Sequence, residues 1–435
     1  MLYNIARMEL LKYLDNYLPL EERKKLEESL SFDNVHALLL NTDKMSEEQL
    51  LSIYPNLKKH PIVPNGFIYK KEEYDLGKSI YHELGCFYIQ EPSAMLVSYL
   101  LSPKPNELVL DMCAAPGGKS IGASILMENK GLIIANDLAR NRAHVLADNV
   151  ARLGRRNIIV TNNDFSLIYS HYLNYFDKII LDAPCSGSGM FRKDEKIISD
   201  WSINKVYKFA TLQMELILNA YDMLKPGGTM VYSTCSYSYE EDEMVIKDLL
   251  ENRDATILPI PNNDSYYISK DNLGIHLFPY KFNGEGHYIC LIKKPGELIK
   301  TKFKQNNVLN SLLPEEIKDH SSVKFGEFLF ALPGEINYKK LNIVQYGVKV
   351  GELFNKEVVY DYFLAHSLSN FNAQVELSEN ETLSYLKGEQ ISKANPYKGN
   401  VLLTYKNIPI DFGKSNGTII KNHYPKYLRK VVNFK

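Results

Sequence analysis

The sequence predicts an α/β protein whose core is a doubly wound, mostly parallel sheet. Between residues 107 and 236, short apolar runs alternate with longer amphipathic stretches, which is the alternation that βαβ units produce. The runs are almost wholly apolar, as strands buried on both faces should be. A hairpin-like pair follows at 274–280 and 287–294, so we expect the sheet to end in antiparallel strands.

Five apolar runs are the predicted parallel strands. They are LVLDMC (108–113), LIIANDL (132–138), NIIVTNND (157–164), KIILDAP (178–184) and GTMVYSTCS (228–236). Apolar residues at helical spacing over 142–154 and 206–224 predict helices between them. Because ligands bind at the carboxyl edge of such a sheet, we expect functional side chains directly after these runs.

A chain of 435 residues is too long for one ordinary hydrophobic core, so several domains are expected. We predict an N-terminal α+β region for RNA binding or another accessory role over 1–75. A central domain over 76–296 and a C-terminal, β-rich domain over 297–435 follow it. The net charge is −1, so the overall charge neither favours nor excludes a nucleic-acid partner.

The composition also limits the cellular setting. The five cysteines are too few and too scattered for a disulfide framework, and no two have the spacing of a zinc site, so we expect no metal. The chain has no signal-peptide pattern and no apolar run of about 18 residues. We therefore predict a cytoplasmic protein with no membrane segment. Nothing in the sequence demands a dimer, so we expect a monomer.

The loop DMCAAPGGKS (111–120) connects a predicted strand to a predicted helix, the position of nucleotide-binding turns. It is not a Walker A loop, because Cys113 stands where the first glycine belongs. Gly117 and Gly118 allow the backbone to approach a ligand closely, and amides at a helix start suit a carboxylate. A tight turn with no ligand is the alternative interpretation.

Three acids follow or end successive strands beside this turn. Asp137 comes at the end of the second strand, where a carboxylate can bind a ribose diol in this fold. Asp164 ends the third strand and Asp182 lies in the fourth. A single aspartate at a strand end is more often a helix cap, but three beside a glycine turn indicate a nucleoside pocket.

Two cysteines are candidates for catalysis. Cys185 in APCSGSG and Cys235 in STCSY each end an apolar run among small residues, so neighbouring strands should bring both thiols to one edge. Neither has a histidine nearby in sequence to act as its base. Lys193 is therefore a candidate for the charge that activates a thiolate. Cys86 and Cys290 are predicted to be buried as small hydrophobic residues.

Together, these motifs resemble the Nop/Sun family of RNA (cytosine-5) methyltransferases. DMCAAPGGKS, LDAPCSGSG and YSTCSYSYEEDE carry the resemblance, with FYIQEPSAM before them and NGEGHYICLIKK after them. The match covers residues 85–295. The tail YKNIPIDFGKSNGTIIKNHYPKYLRK resembles the PUA-like C-terminal domain of the bacterial RsmF group, which modifies 16S ribosomal RNA.

The resemblance implies a class I methyltransferase fold, S-adenosylmethionine as cofactor and a role for each site residue. It implies that Asp137 binds the ribose, that Asp164 binds the adenine and that Asp182 closes the cofactor site. The amino-acid end of the cofactor would lie against Cys113, Ala114, Ala115, Pro116, Gly117, Gly118 and Lys119. Cys235 matches the family's nucleophile, and Cys185 matches the cysteine that assists product release.

The expected substrate is ribosomal RNA or the small ribosomal subunit, and the tail should contribute to binding it. From Lys406 to Lys435 there are seven basic residues against one Asp, with Tyr405, Tyr424 and Tyr427 interleaved. Phosphate contacts and some base stacking are expected there. We expect removal of residues 300–435 to weaken RNA binding and to leave cofactor binding intact.

Other functions stay open on the sequence alone. The substrate could be transfer RNA, or the fold could be catalytically silent in a ribosome-assembly protein that binds RNA. A DNA cytosine-5 methyltransferase would share the Pro184–Cys185 pair, but the second cysteine and the basic tail favour RNA. Leu39 stands where the family usually has an arginine, which puts one RNA contact in doubt.

Overall fold

The computed structural model describes residues 2–193, 195–269, 271–338, 340–354 and 357–429. The N-terminal part consists of α1 (Leu2–Leu14), α2 (Leu20–Ser29), β1 (His36–Leu40), α3 (Glu47–Ile53), β2 (Lys58–Lys59), β3 (Gly66–Tyr69), α4 (Ile80–Glu83) and β4 (Phe87–Ile89). These strands form an antiparallel sheet in the order β2-β3-β1-β4. The N-terminal part is therefore α+β, as predicted.

The central part begins with a helix and then alternates strands and helices. Its first elements are α5 (Pro92–Leu101), β5 (Leu108–Asp111), α6 (Gly118–Leu126), β6 (Leu132–Asn136), α7 (Arg140–Arg152), β7 (Ile158–Thr161), α8 (Phe165–His171) and β8 (Phe176–Asp182). It continues through α9 (Glu195–Asp200), α10 (Ile203–Met223), β9 (Leu224–Thr234), α11 (Glu243–Asn252), β10 (Thr256–Leu258), β11 (Tyr267–Ile268), β12 (Ile275–Leu277) and β13 (His287–Lys293). The predicted strands are all present, with bounds that differ by a few residues.

The central sheet has the order β11-β12-β13-β9-β8-β5-β6-β7, with one further strand beside β7. Strands β9, β8, β5, β6 and β7 are parallel, and β13 pairs antiparallel with β9. Every residue of β5, β6 and β7 is buried, which explains their apolar sequences. The predicted α/β class and its antiparallel finish are confirmed.

The C-terminal part is β-rich. It comprises β14 (Ser321–Phe325), β15 (Phe328–Leu332), β16 (Ile343–Tyr346), β17 (Val348–Phe354), β18 (Glu357–Tyr360), α12 (Tyr362–Ser367), β19 (Gln374–Glu376), α13 (Glu379–Lys387), β20 (Ile391–Ser392), β21 (Gly399–Tyr405), β22 (Ile408–Ser415) and β23 (Ile419–Lys421). One sheet has the order β14-β15-β17-β18, and the other has the order β19-β21-β22-β23-β20. Strand β16 belongs to neither, because it pairs with β7 of the central sheet.

Hydrogen bonds between strands cross both predicted domain boundaries. Strand β4 lies after residue 75, yet it pairs with β1 and completes the N-terminal sheet. Strand β16 lies after residue 296, yet it extends the central sheet. The division into 1–75, 76–296 and 297–435 stays a prediction about folding units. In the part of the chain that the structure describes, no helix is both long and apolar enough to cross a membrane.

Leu39 lies inside the protein, within β1. It is 5% exposed and pairs with Gly66 and Tyr88 of the neighbouring strands. Two residues later, Asn41 donates its side-chain amide to the Leu153 carbonyl at 3.0 Å and accepts from Arg155 at 2.9 Å. This element therefore ties the N-terminal sheet to the central part. The Leu39 side chain is not at the surface, so the doubt about an RNA contact there stands.

Candidate active site

The candidate site lies at the carboxyl edge of the central sheet. The strand order reverses at β5, which lies between β6 and β8 although β8 comes three strands later in the chain. In open α/β sheets, ligands bind in the crevice at such a point. The turn at 111–120 follows β5, and Cys185 follows β8, so the fold brings both predicted motifs to this crevice.

The glycine turn is packed closely from two sides. Gly117 has a φ of 117°, in the region that favours glycine, and a Cβ there would lie 2.8 Å from Leu146. A Cβ on Gly118 would lie 2.9 Å from the Gln90 side chain. Glycine at 117 therefore avoids backbone strain, and a side chain at 117 or 118 would have to displace the end of Leu146 or Gln90. Helix α6 begins at this turn.

The rest of the turn is held by hydrogen bonds to neighbouring loops. The Ala114 amide donates to the Asn136 carbonyl at 2.8 Å, and the Ala115 carbonyl accepts from Arg142 at 2.6 Å. The Pro116 carbonyl accepts from Asn149 at 3.0 Å. Cys113 lies within the turn, where burial raises the pKa of its thiol well above the ordinary value. This thiol is therefore unsuited to act as a nucleophile.

Asp137 lies beside the turn, directly after β6, and is 2% exposed. Its carboxylate accepts from the Ala139 amide at 2.9 Å and from the Ala115 amide at 3.2 Å. The Arg142 guanidinium lies 3.4 Å away. These contacts fix the carboxylate against the glycine turn. Binding of a ribose by Asp137 stays a prediction.

Asp164 is the N-cap of α8 and is exposed. Its carboxylate accepts from the Ser166 amide at 2.9 Å and from the Ser166 hydroxyl at 2.6 Å, and these bonds lower its pKa. A structural role as helix cap therefore explains this residue fully. A contact with adenine stays a prediction.

Asp182 ends β8 and forms an ion pair with Lys119, their charged atoms being 2.7 Å apart. The Ser233 hydroxyl donates to the same carboxylate at 2.7 Å, and His287 Nε2 lies 3.5 Å from it. Burial alone would raise the pKa of Asp182, but Lys119 and His287 lower it below the ordinary range. The carboxylate is therefore ionised throughout the physiological range.

The thiols of Cys185 and Cys235 lie together, with 3.1 Å between their sulfur atoms. Both residues are partly exposed. The contact with Cys235, with burial, raises the pKa of Cys185 well above its ordinary value. Cys185 therefore keeps its proton at neutral pH and can donate it toward the sulfur of Cys235.

Lys119 supplies a positive charge near the thiols. Although burial opposes its charge, the pKa of Lys119 is raised by Asp182, and Cys235 also contributes. Lys193 lies in a surface groove beside His36. Activation of a thiol by Lys193 stays a prediction.

Other residues that frame the site were missed by sequence reasoning. The buried Glu241 carboxylate accepts from the Ser186 amide at 2.7 Å and from the Ser236 hydroxyl at 2.6 Å, so it joins the two loops that carry the cysteines. Asp111, at the end of β5, is fully buried, and one of its oxygens has no hydrogen-bond partner. Burial raises the pKa of Asp111 to about 7. The position of Asp111 at the end of a predicted strand was the sequence signal that could have identified it.

One cluster has the residue types of a metal site. Asp242, Glu243 and His276 offer ligand atoms within 4.8 Å of one another. Thr234 donates to Asp242 at 2.6 Å, and His276 Nε2 lies 2.8 Å from Glu243. Asp242 Oδ2 and His276 Nδ1 are buried and have no hydrogen-bond partner. The expectation that the protein holds no metal stays a prediction.

A groove of about 820 Å³ lies between the N-terminal sheet and the loop after Cys185. Four lysines and three acids line it: Lys58, Lys70, Lys71, Lys193, Asp33, Glu72 and Glu73. The rings of His36 and Tyr69 lie 5.7 Å apart on its wall. Burial and Lys71 lower the pKa of His36, so this ring is neutral at pH 7. The groove thus combines cations with aromatic rings.

Three known protein families match the N-terminal, central and C-terminal parts of the chain. Residues 98–293 match the 16S rRNA methyltransferase RsmB/F family. Residues 9–92 match the N-terminal domain of 16S rRNA methyltransferase RsmF, and residues 372–430 match the methyltransferase RsmF PUA domain.

Similar proteins match over nearly their whole length. Ribosomal RNA small subunit methyltransferase F of Aliivibrio salmonicida is 30% identical over 444 residues, which cover 93% of this chain and 92% of that protein. The protein of the same name from Escherichia coli K12 is 30% identical over 457 residues, covering 93% of this chain and 94% of that one.

Solved structures show the same fold over about two thirds of the chain. A methyltransferase homolog from Pyrococcus horikoshii is 33% identical with a TM-score of 0.56, covering 63% of this chain and 91% of that one. NSun6 from Pyrococcus horikoshii has a TM-score of 0.60 at 23% identity, covering 66% of this chain and 98% of that one. The second likeness shows the fold alone.

Proposed function

The chain belongs to the ribosomal RNA small subunit methyltransferase F family, and we propose that it methylates carbon 5 of a cytidine in 16S ribosomal RNA. The enzyme is an RNA methyltransferase that uses S-adenosylmethionine. One observation carries the proposed chemistry: the sulfur atoms of Cys185 and Cys235 lie 3.1 Å apart, beside the Lys119–Asp182 ion pair. Cytosine-5 methylation needs a thiolate and a second group next to it, and this pair supplies both.

The residues of the crevice fit S-adenosylmethionine. The turn formed by residues 113–119 would hold the amino-acid end, Asp137 would bind the ribose and Asp164 would lie near the adenine. The unpartnered, buried oxygen of Asp111 is an acceptor at the base of this turn, and a cationic ligand would satisfy it. When bound, S-adenosylmethionine supplies an electrophilic methyl group.

The proposed reaction begins at Cys235. C5 of cytosine is a poor nucleophile until a group adds to C6, so the Cys235 thiolate forms a bond to C6 and the electrons of the C5=C6 bond become available at C5. These electrons would then form a bond to the methyl carbon that S-adenosylmethionine supplies, and the electron pair of the broken S–CH3 bond would stay on the cofactor sulfur. The target base must be unstacked to reach the thiol.

Release of the product then needs a proton taken from C5 and a sulfur that leaves C6. We propose that Cys185 donates its proton to the sulfur of Cys235 as the C6–S bond breaks. The Cys185 sulfur accepts the C5 proton, and the electrons of the C5–H bond restore the C5=C6 double bond. The reaction therefore returns both cysteines, with one net proton passed to solvent.

RNA is proposed to reach the crevice along the groove at 33–36, 58, 68–73, 193 and 283. Lysines there can contact phosphates, and the partly exposed ring of His36 offers a surface on which a base can stack. The C-terminal sheet adds Lys414 and Lys421, which are exposed and paired across β22 and β23. Like charges placed opposite each other are unfavourable without an anion between them, which supports a phosphate contact.

The tyrosines of the tail have a different role from the one predicted. Tyr405 and Tyr424 are buried, and the Tyr424 hydroxyl donates to Glu83 of the N-terminal part at 2.6 Å. Tyr427 is 74% exposed and is available for stacking. Lys430 and Lys435 lie outside the described residues. The prediction of base stacking was therefore wrong for Tyr405 and Tyr424, which pack against the N-terminal part.

Purified enzyme, labelled S-adenosylmethionine and RNA fractions test the proposal. We expect label to enter 16S ribosomal RNA, or the small subunit that contains it, and bisulfite sequencing to find one or more 5-methylcytidines. If label entered only transfer RNA, a transfer RNA methyltransferase would be favoured. If the protein bound S-adenosylmethionine but transferred no methyl group, a catalytically silent ribosome-assembly protein would be favoured. A cytoplasmic location and a monomeric state are part of the proposal, and light scattering of the purified protein tests the second.

A further inference from the structure

Strand β16, from the C-terminal part, pairs with β7 of the central sheet and lies next to the proposed cofactor site. It pairs antiparallel with β7, with Ile343 opposite Thr161 and Tyr346 opposite Ile159. This strand comes from residues 294–371, a stretch that lies between the ranges matched by the methyltransferase and PUA families. The residue just before β16 is Asn342, which lies beside the loop that follows β7.

Asn342 is bonded to the two residues that precede Asp164. Its amide donates to the Asn163 side-chain oxygen at 2.8 Å, and its own side chain donates to the Asn162 carbonyl at 3.2 Å. Its carbonyl accepts from the Asn162 amide at 3.0 Å and from the Asn163 side chain at 3.3 Å. Main chain and side chain thus both hold this loop.

The same loop is bonded in turn to the residues around Asp137. The Asn162 side chain donates to the Asp137 carbonyl at 2.8 Å and to the Leu138 carbonyl at 2.9 Å. The Asn163 amide donates to the side chain of Asn136 at 3.0 Å, and Asn136 donates back to the Asn163 carbonyl at 3.1 Å. Asn136 is fully buried and Asn163 is 5% exposed, so water competes little for these bonds.

We propose that Asn342 is a positioning residue for the nucleoside end of S-adenosylmethionine, acting through Asn162 and Asn163. It sets the spacing between the loop that carries Asp137 and the loop that carries Asp164. This inference rests on the proposed function, because it assumes that the two aspartates face the cofactor. It makes the stretch around β16 a component of the cofactor site. Removal of residues 300–435 should therefore weaken cofactor binding, contrary to the expectation from sequence.

The test compares Asn342→Ala and Asn163→Ala with Gln345→Ala. Gln345 lies on the same strand, and its side chain donates to Gly347 at 3.3 Å, away from the two loops. Asn163→Ala removes two partly buried side-chain bonds to the Asn342 main chain, whereas Asn342→Ala removes the exposed side-chain bond to the Asn162 carbonyl and keeps the main-chain bonds. The dissociation constant for S-adenosylmethionine should therefore rise roughly threefold to tenfold in Asn163→Ala and by a smaller factor in Asn342→Ala. The KM for S-adenosylmethionine should rise by the same factor. The values of kcat and of RNA affinity should match those of Gln345→Ala.

A purely structural role would give a different result. In that case the thermal midpoints would fall, while cofactor affinity in the Asn342 and Asn163 variants would equal that of Gln345→Ala, and the inference would be overturned. The inference would also be overturned if the variants raised the KM for RNA and lowered kcat by similar factors. If the wild-type protein does not bind S-adenosylmethionine, the proposed function itself fails. If one variant does not fold, the other still gives the comparison.

Discussion

The Lys119 ammonium lies 2.7 Å from the Asp182 carboxylate, and its charge also interacts with Cys235. Because a nearby cation favours a thiolate, Lys119→Met should reduce methylation by roughly 10²–10³-fold. It should also move the rising limb of the pH–rate profile to higher pH. Rates measured from pH 6 to 10 check both effects.

Lys193→Met is the matched control for this prediction. Lys193 lines the surface groove, so its replacement should weaken RNA binding and leave the pH–rate profile in place. A profile that shifts with Lys193→Met, and not with Lys119→Met, would support the role that the sequence had suggested for Lys193.

Asp137→Ala should weaken cofactor binding by about 1–3 kcal/mol, the usual contribution of charged hydrogen bonds. The Ala115 and Ala139 amides hold the carboxylate beside the glycine turn. Alanine at position 137 would remove this acceptor. Calorimetry with S-adenosylmethionine measures the loss. The exposed Asp264 serves as control, and equal affinities for Asp137→Ala and Asp264→Ala would contradict the assignment to the ribose.

The double variant Lys414→Ala/Lys421→Ala should bind RNA less tightly and with less dependence on salt. Removing one lysine that binds a phosphate reduces the slope of log affinity against log salt by about 1, so a change of about 2 is expected for the pair. Fluorescence anisotropy over a salt series gives the slope. Lys104 and Lys130 precede β5 and β6 at the opposite edge of the sheet, and their double alanine variant should keep the wild-type slope. Identical slopes for both variants would exclude phosphate binding by Lys414 and Lys421.

Asp411 predicts a pH dependence of stability in the C-terminal part. Burial raises its pKa to about 8, against about 3.9 in an unfolded chain. The native carboxyl keeps its proton while the unfolded one ionises, so its contribution to stability is full below about pH 4 and is lost as the pH rises to about 8.

Asp411→Asn should remove this slope, because an amide does not titrate and its oxygen can still accept from the Phe412 amide. Urea unfolding should be measured from pH 5 to 9. As the pH rises to about 8, the free energy of unfolding of wild type should fall relative to that of Asp411→Asn, and above about pH 8 the difference between the two should stay constant. Asp264→Asn should run parallel to wild type. A constant difference between Asp411→Asn and wild type over the whole range would show that Asp411 is ionised in the native protein.

The part of the fold that follows from local pattern was predictable. Strands β5, β6 and β7 are apolar throughout because both of their faces are buried. Cys185 and Cys235 meet because they follow neighbouring parallel strands, which fixes the separation of their backbones. Gly117 was informative because its φ of 117° lies in the region that favours glycine.

The features that were missed depend on contacts between distant parts of the chain. Strand β16 pairs with β7 across about 180 residues of sequence, and a short edge strand carries little signal of its partner. The ion pair between Lys119 and Asp182 joins residues 63 positions apart in the sequence, and local pattern does not reveal it. Tyr424 is buried because the N-terminal part packs on it, which local sequence does not reveal.

The central claim is that Cys235 attacks the base and that Cys185 releases the product. The most direct measurement is denaturing gel electrophoresis of Cys235→Ala, Cys185→Ala and Cys290→Ala, each mixed with labelled 16S ribosomal RNA and S-adenosylmethionine. Cys290 is fully buried in β13, so its variant controls for the removal of a thiol. Cys185→Ala should accumulate a protein–RNA adduct that needs S-adenosylmethionine, whereas Cys235→Ala should bind RNA, form no adduct and transfer no methyl group. An adduct from Cys235→Ala, with none from Cys185→Ala, would contradict the account and make Cys185 the nucleophile.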